Sequence, residues 1–475
     1  MPGLDNRPVT LSLTGDQHHS LKSFLFSGDG AESVAILLCG QRDGNRRFRL
    51  LVRELHPIPE SSYTARTPTR VIWQTESIEP LLDRAAAEGL SVIKVHSHPC
   101  GCPDFSACDD ESDEKLLPTL RGWVEADIPH GSIVMLPDGQ MFGRIWGRDK
   151  CFQPIECINV VGDDLHYWYN GSNGEALPGF VASHAQAFDV GTIERLQRLS
   201  IAVIGASGTG SPTVEQLMRL GAGEIVTVDD DIMEDRNVNR ILNSTSGDAE
   251  QQRPKVDVIG DAINRAGLGT RVIRLKGNLW EPDIVRTVAE CDVVFGCMDS
   301  IDGRYLLNTL ATFYTQPYFD IGVRLDTVRD SPEKGKIREV CGTVNYLQPG
   351  RSSLMSRGLF TMKQVAEAGL RRHDLSAHER QVKDGYITGA ENHRPAVISV
   401  NMYASSLAVN DFLARLHPYR EEPNSEYAAI EFSLASMELM PDPEEGQCDI
   451  LARHVGKGDV TPLLRQMELA ERRVA

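Results

Sequence analysis

From Thr192 onward the chain repeats one unit: a strand-length apolar run, a turn, and a segment with helical spacing. The runs read SIAVIG, EIVTVDD, TRVIRL, DVVFGCMD and PYFDIGV, with SPTVEQLMRLGAG between the first two. Alternating units of this kind bury their apolar faces by building a parallel sheet with helices on both sides. An α/β, doubly wound domain over 191–420 is the expectation.

The preceding 150 residues are built differently. Short apolar runs such as SVAILLCG, RFRLLVREL, LSVIKVHSH and QMFGRIWG are separated by charged turns, with helical spacing only in IEPLLDRAAAEGL and from Asp109 to Trp123. That pattern predicts an α+β domain over 1–150. Residues 151–190 contain Asn-Gly and Pro-Gly pairs in a stretch without a sustained period, and read as a linker. Beyond 420 the chain becomes acidic and proline-containing, so 421–475 reads as a C-terminal tail packing on the second domain. The length of 475 residues accommodates this division at roughly 150 residues per domain.

Charge narrows the partners. With 49 Lys and Arg against 67 Asp and Glu, the net charge of −18 argues against a nucleic-acid-binding protein. No apolar run reaches the roughly 20 residues needed to span a bilayer, and the first residues lack the charged and apolar regions of a secretory signal. A cytoplasmic protein without a membrane partner is expected, in which cysteines serve as metal ligands or inert thiols before disulfides.

The sharpest local signal is VHSHPCGCPDFSACDD, in which His96 and His98 are followed after seven residues by Ser106 and then, past two more, by Asp109. Histidines at i and i+2 on a strand point the same way, and an Asp from the next helix can complete three protein ligands for zinc. A fourth position is left for a water whose pKa the metal lowers, and Glu54, in RLLVREL, is the candidate base for its proton. Two other readings remain: a solvated acidic loop, or a closed thiolate site made by Cys100, Cys102 and Cys108.

The spacing resembles the JAMM (JAB/MPN) metalloprotease family, whose pattern is an upstream Glu, His-x-His, seven residues, Ser, two residues and Asp. The resemblance implies a cytidine-deaminase-like α+β domain that cleaves at the tails of ubiquitin-like proteins. His96, His98 and Asp109 would hold Zn2+, Glu54 would be the general acid/base, and Ser106 would stabilise the tetrahedral oxyanion.

In the second domain SIAVIG runs into GASGTGS, placing Gly205, Gly208 and Gly210 ahead of a helix that starts near Ser211. Bare glycines let backbone N–H groups approach phosphate oxygens, and a helix N-terminus adds partial positive charge. Asp229, at the end of the next strand, suits the ribose of either NAD or ATP. Asn237, Arg240, Lys255 and Asp299 favour ATP, because attack on an α-phosphate needs cations on the phosphates and a carboxylate for magnesium, whereas hydride transfer needs neither. A nucleotide-free sheet with surface charges is the bland alternative.

These residues resemble the ThiF/MoeB and ubiquitin-activating adenylation domain, which has a Rossmann-like fold. The resemblance extends through GTVNYLQPG and PAVISVNMYASSLAVNDFL. It implies that Asp229 binds the ribose, Arg240 and Lys255 the phosphates, Asp299 Mg2+, and that Asn237 helps hold the nucleotide. A homodimer follows, with Arg195 and Arg198 placed to reach a neighbouring site. The implied partners are a ubiquitin-like β-grasp protein and a conjugating enzyme.

The chain departs from that family in two places. Where many members have Cys-x-x-Cys pairs for a structural zinc, it has Ser353-Leu-Met-Ser356 and retains Cys448 alone in the tail, so no zinc is expected there. No cysteine occurs between Arg357 and Pro395, where a thioester-forming residue would stand. Transfer through Cys341, through Ser353 or Ser356, or straight from the adenylate are the options. Together the resemblances imply an enzyme that both cleaves and adenylates one small-protein tail, in a fusion analogous to those of prokaryotic ubiquitin-like and phage-defence operons. Sulfur-carrier activation and an inactive scaffold are the alternatives.

Overall fold

The computed structural model describes residues 7–125, 127–147, 150–171, 177–327, 337–383 and 397–470. Two units emerge. The first runs to Gly174 and takes in Phe313–Thr315 and His454–Thr461, and the second contains the remainder.

The first unit contributes β1 (Val9–Thr14), β2 (Val34–Asp43), β3 (Phe48–Pro57), β4 (Tyr63–Thr67), β5 (Arg70–Trp73), β6 (Ser91–Ser97), β7 (Gly131–Met135), β8 (Met141–Trp146), β9 (Phe152–Pro154), β10 (Cys157–Val161) and β11 (Leu165–Tyr169). All but the β4–β5 hairpin form one sheet in the order β11-β10-β1-β3-β2-β6-β7-β8-β9. Helix α1 (Gly15–Leu25) packs Leu21 and Leu25 on one face, against Leu11, Leu13, Leu37 and Val95. Helices α2 (Glu79–Glu88) and α3 (Ala107–Val124) pack Leu82, Leu117 and Leu120 on the other, against Val34, Ile36, Leu38 and Val92. Burial of β2 on both faces explains why SVAILLCG is continuously apolar instead of alternating.

The expected linker at 151–190 is a correction. Residues 152–169 supply β9, β10 and β11, and β10 lies parallel to β1 in the register Thr10↔Cys157 to Thr14↔Val161. The signal is weak because β9 has three residues and β10 and β11 five each, too few to sustain a visible period. Helices α4 (Ala182–Phe188) and α5 (Val190–Arg198) then open the second unit. The Asn173-Gly174 pair, and the part of the cysteine-free segment from 384 to Pro395, lie outside the described residues.

In the second unit β12 (Ser200–Ile204), β13 (Glu224–Val228), β14 (Arg271–Leu275), β15 (Val293–Gly296) and β16 (Tyr318–Thr327) are parallel, and β17 (Ile337–Leu347), β18 (Ala429–Ser433) and β19 (Glu438–Asp442) continue the sheet antiparallel. The order is β14-β13-β12-β15-β16-β17-β18-β19. Its direction of growth reverses between β12 and β15, and a crevice opens at such a switch point beyond the carboxyl ends of the strands. The connecting helices are α6 (Gly210–Arg219), α7 (Ser246–Glu250), α8 (Lys255–Ala266), α9 (Pro282–Val288), α10 (Ile301–Phe313), α11 (Met362–His373), α12 (Leu375–Lys383) and α13 (Ile398–Leu416). Among the described residues no helix is long and apolar enough to cross a membrane.

The segment read as a tail is likewise corrected, since β18 and β19 are strands of this sheet. Their hold on the loop after β17 is ionic. The Arg357 guanidinium donates to Glu444 at 3.0 Å, to the Tyr346 carbonyl at 2.9 Å and to the Ala428 carbonyl at 2.8 Å, while the Ser352 N–H donates to Glu444 at 3.2 Å. Removing one member of a buried, hydrogen-bonded pair strands the other charge. Glu444→Ala is therefore expected to lower the unfolding free energy of the second unit by ~3 kcal/mol in urea titrations.

Candidate functional site

Two groups of chemistry-bearing residues stand out, one in each unit. In the first, His96 at the end of β6 and Asp109 in the first turn of α3 approach to 2.9 Å; His98 lies 3.4 Å from Asp109, and the two imidazole Nε2 atoms are 3.1 Å apart. These donors all lie within 4.8 Å of one another. His98 Nδ1 is bonded to the Cys102 carbonyl at 2.9 Å, which leaves its Nε2 facing the group. Burial presses against ionisation of Asp109, but its bonds from His96 and His98 outweigh this and hold the carboxyl far below the usual range. Two imidazoles and a carboxylate suit a zinc ion with an open fourth position. Cys100, Cys102 and Cys108 are exposed, and none joins the donor group.

A matched spacing brings these side chains together. His96 and Lys94 share a face of β6 about 6.6 Å apart, and Asp109 and Asp113 share a face of α3 about 6 Å apart, so each base meets one acid. Lys94 pairs with Asp113, and Arg144 on β8 reaches Asp113 at 2.8 Å and Asp110 as well. The same guanidinium lies between the Phe105 and Phe152 rings, 3.8 Å from each centroid. Ser106 caps α3 and donates its hydroxyl to Asp109 at 2.7 Å, so it orients that carboxylate.

Glu54 does not join the group. It pairs with Arg84 at 2.6 Å and with His56 at 3.1 Å, and the Arg84 bonds pull its pKa down. Register gives the reason: Glu54 faces Leu38, which faces Val92, four residues before His96 and so ~13 Å along the strand. The carboxylate beside the histidines is Glu32. Val34 pairs with His96, and Ser33 exchanges two hydrogen bonds with Ser97, so Glu32 falls opposite His98. Glu32 is buried, and desolvation raises its pKa to about 7 in the field of His98 and Asp109. A carboxylate immediately ahead of SVAILLCG, whose strand pairs with the one ending His-Ser-His, was the signal that could have found it.

In the second unit the glycine turn joins β12 to α6. Gly205 has φ +96°, and a Cβ there would stand 2.6 Å from the Cys297 carbonyl; one on Gly210 would stand 1.8 Å from the Gly205 carbonyl. The Ala206 N–H donates to Asp229 at 2.6 Å, and the Asp231 N–H donates to it at 2.9 Å, so Asp229 ties the turn to the end of β13. Burial, the largest influence, raises the pKa of Asp229 despite Lys255 nearby. Lys255 Nζ lies 3.7 Å from Asp229 and bonds Asp231. Asn237 is buried and uses its side-chain oxygen to accept from the Glu234 N–H. The Arg240 side chain passes Gly208, and Asp299 is exposed just beyond β15. Asp229, Lys255, Arg240 and Asp299 thus lie at or just beyond the carboxyl ends of β12, β13 and β15, whereas the bonds of Asn237 are local to its own turn.

The remaining candidates are occupied. Cys341 lies within the sheet, between Arg324 of β16 and Ser433 of β18, and burial together with Glu339 raises its thiol pKa. Ser353 and Ser356 bond each other across a turn. Arg195 donates to the Leu416 carbonyl at 3.4 Å.

The family model described as "ThiF family" matches residues 181–447. The chain belongs to the ThiF family. A ubiquitin-like modifier-activating enzyme 5 from Bombyx mori is 24% identical over 213 residues, covering 42% of this chain and 50% of that protein. The SAMP-activating enzyme E1 of Haloferax volcanii is 30% identical over 119 residues, covering 25% of this chain and 43% of that one. This ThiF-family chain thus spans half or less of the length of these relatives. Among solved structures, Escherichia coli MccB with ATP is 17% identical, with a TM-score of 0.43 over 59% of this chain and 76% of that one. No finding among these falls on the first unit as a family match.

The charged cluster behind α3 yields a direct expectation. Arg144→Met keeps the stacked bulk between the two rings but leaves the buried Asp113 with Lys94 alone, and should cost the first unit ~3 kcal/mol in chemical denaturation. An unchanged midpoint would show that Lys94 alone suffices.

Proposed function

We propose that this ThiF-family chain adenylates the C-terminal carboxylate of a ubiquitin-like protein in its second unit and hydrolyses an amide at such a tail in its first. The observation that carries the adenylation reading is the gathering of Arg240, Lys255 and Asp299 around the Gly205–Gly210 turn at the switch point of the sheet. In this reading the turn's N–H groups and the N-terminus of α6 receive the phosphates, with Arg240 and Lys255 offsetting their charge. Asp299 would hold Mg2+, which supplies charge neutralisation on the phosphoryl oxygens when bound. The tail carboxylate attacks the α-phosphorus, the bond to pyrophosphate breaks, and an acyl-adenylate remains. Asp229 orders the turn, leaving the exposed Asp231 on the open side.

The raised Cys341 thiol and the mutually bonded Ser353 and Ser356 favour passing the acyl group straight from the adenylate to its acceptor. The same features weigh against a thiocarboxylate route through Cys341. A homodimer, and a conjugating enzyme as acceptor, belong to this reading.

For the first unit we propose a JAMM-type hydrolase. His96, His98 and Asp109 would hold Zn2+, which when bound lowers the pKa of a water in the open position. Glu32 would serve as the general acid/base beside these ligands, accepting a proton and returning it to the leaving amine, and Ser106 would keep Asp109 oriented.

Three measurements test these assignments. Purified chain should carry one zinc by elemental analysis, lost in His96→Ala. Cleavage of a β-grasp protein with a short C-terminal extension should fall at least ~100-fold in Glu32→Gln and stay near wild type in Glu54→Gln; the reverse order would reject the assignment. Asp299→Ala should reduce tail-dependent ATP–pyrophosphate exchange by ~100-fold, and exchange at the wild-type rate would discard its magnesium role.

A further inference from the structure

Asn401 lies on α13 and is 4% exposed. Its side-chain carboxamide bonds none of the described residues and is not wholly enclosed, while its backbone N–H is bonded to the Val397 carbonyl. Its Nδ2 stands 2.3 Å from where a Cβ on Gly208 would lie, and Arg240 Cδ is 3.4 Å from that same point. The amide is therefore pressed against the backbone of the glycine turn, on the side that Arg240 also reaches. One helical turn further on, Ser405 donates its hydroxyl to the Thr209 carbonyl at 2.7 Å, which fixes α13 to the turn. Asn401 cannot swing away from the turn without breaking that hold.

An amide that the fold leaves unbonded and not sealed off can bond a ligand. Here the neighbouring groups are an arginine and a glycine backbone shaped to admit an anion, and Asn supplies two N–H donors. We propose that Asn401 is a nucleotide-binding residue, its carboxamide donating to a phosphoryl oxygen of a nucleotide seated on the Gly205–Gly210 turn. The proposal rests on reading the second unit as a nucleotide site, and it adds α13 to the elements that select the ligand.

The test is isothermal titration of the full chain with two probes, Mg·ATP and adenosine. Asn401→Asp keeps the shape and replaces a donor by a negative charge, so Mg·ATP should bind at least about tenfold more weakly while adenosine affinity stays within about twofold. Asn401→Ala should fall between the two. Wild-type affinity for Mg·ATP in both variants, or equal losses for Mg·ATP and adenosine, would overturn the proposal by leaving Asn401 a packing role. A wild-type chain that binds no Mg·ATP would instead overturn the nucleotide-site reading, and the proposal with it.

Discussion

The second unit depends on a steric constraint at one turn. Gly205 and Gly210 bring the end of β12 and the start of α6 so close that a single added carbon on either would collide with a backbone carbonyl. That closeness lets the first turn of α6 face the crevice between β12 and β15, and it sets where Asp229 can bond the Ala206 N–H. Arg240, Lys255 and Asp299 come from three further segments, yet each reaches the same place because the parallel strands all end there. Family membership follows from the match to residues 181–447, and the proposed chemistry rests on this convergence.

A different constraint organises the first unit. Two basic residues spaced by two on β6 meet two acidic residues spaced by four on α3, because strand and helix repeats coincide at ~6–7 Å. One pair, Lys94 and Asp113, is buried and supported by Arg144; the other, His96 and Asp109, opens toward the loop that carries His98. The structural pair thus holds in place the pair that has ligand chemistry. Such an arrangement gives the donor group a rigid backing, which a metal site requires of its supporting residues.

Much of this was legible in the sequence. The glycine turn and the His-x-His…Asp spacing act through local geometry, and His96, His98 and Asp109 come within 4.8 Å of one another. What escaped reading depended on pairing between distant segments. Glu54 is the strand glutamate that the sequence offers as the base, but only the β2–β3–β6 register reveals that Glu32 is the carboxylate beside His98. Residues 152–169 looked like a linker because their strands are three to five residues long and the parallel partner of β10, β1, lies about 147 residues away in sequence. The acidic composition after 420 hid β18 and β19, whose charged residues include the exposed Glu431 and Glu438. Asn401 gave no local signal at all, since its significance comes from α13 crossing the glycine turn.

The most direct test of two chemistries in one chain is a crystal structure of the full protein grown with Mg2+ and a non-hydrolysable ATP analogue, with diffraction recorded across the zinc absorption edge. The account predicts an anomalous peak bounded by His96, His98 and Asp109, with triphosphate density along Gly205–Gly210. Density for a dinucleotide across that turn, or no anomalous scatterer beside the two imidazoles, would contradict it.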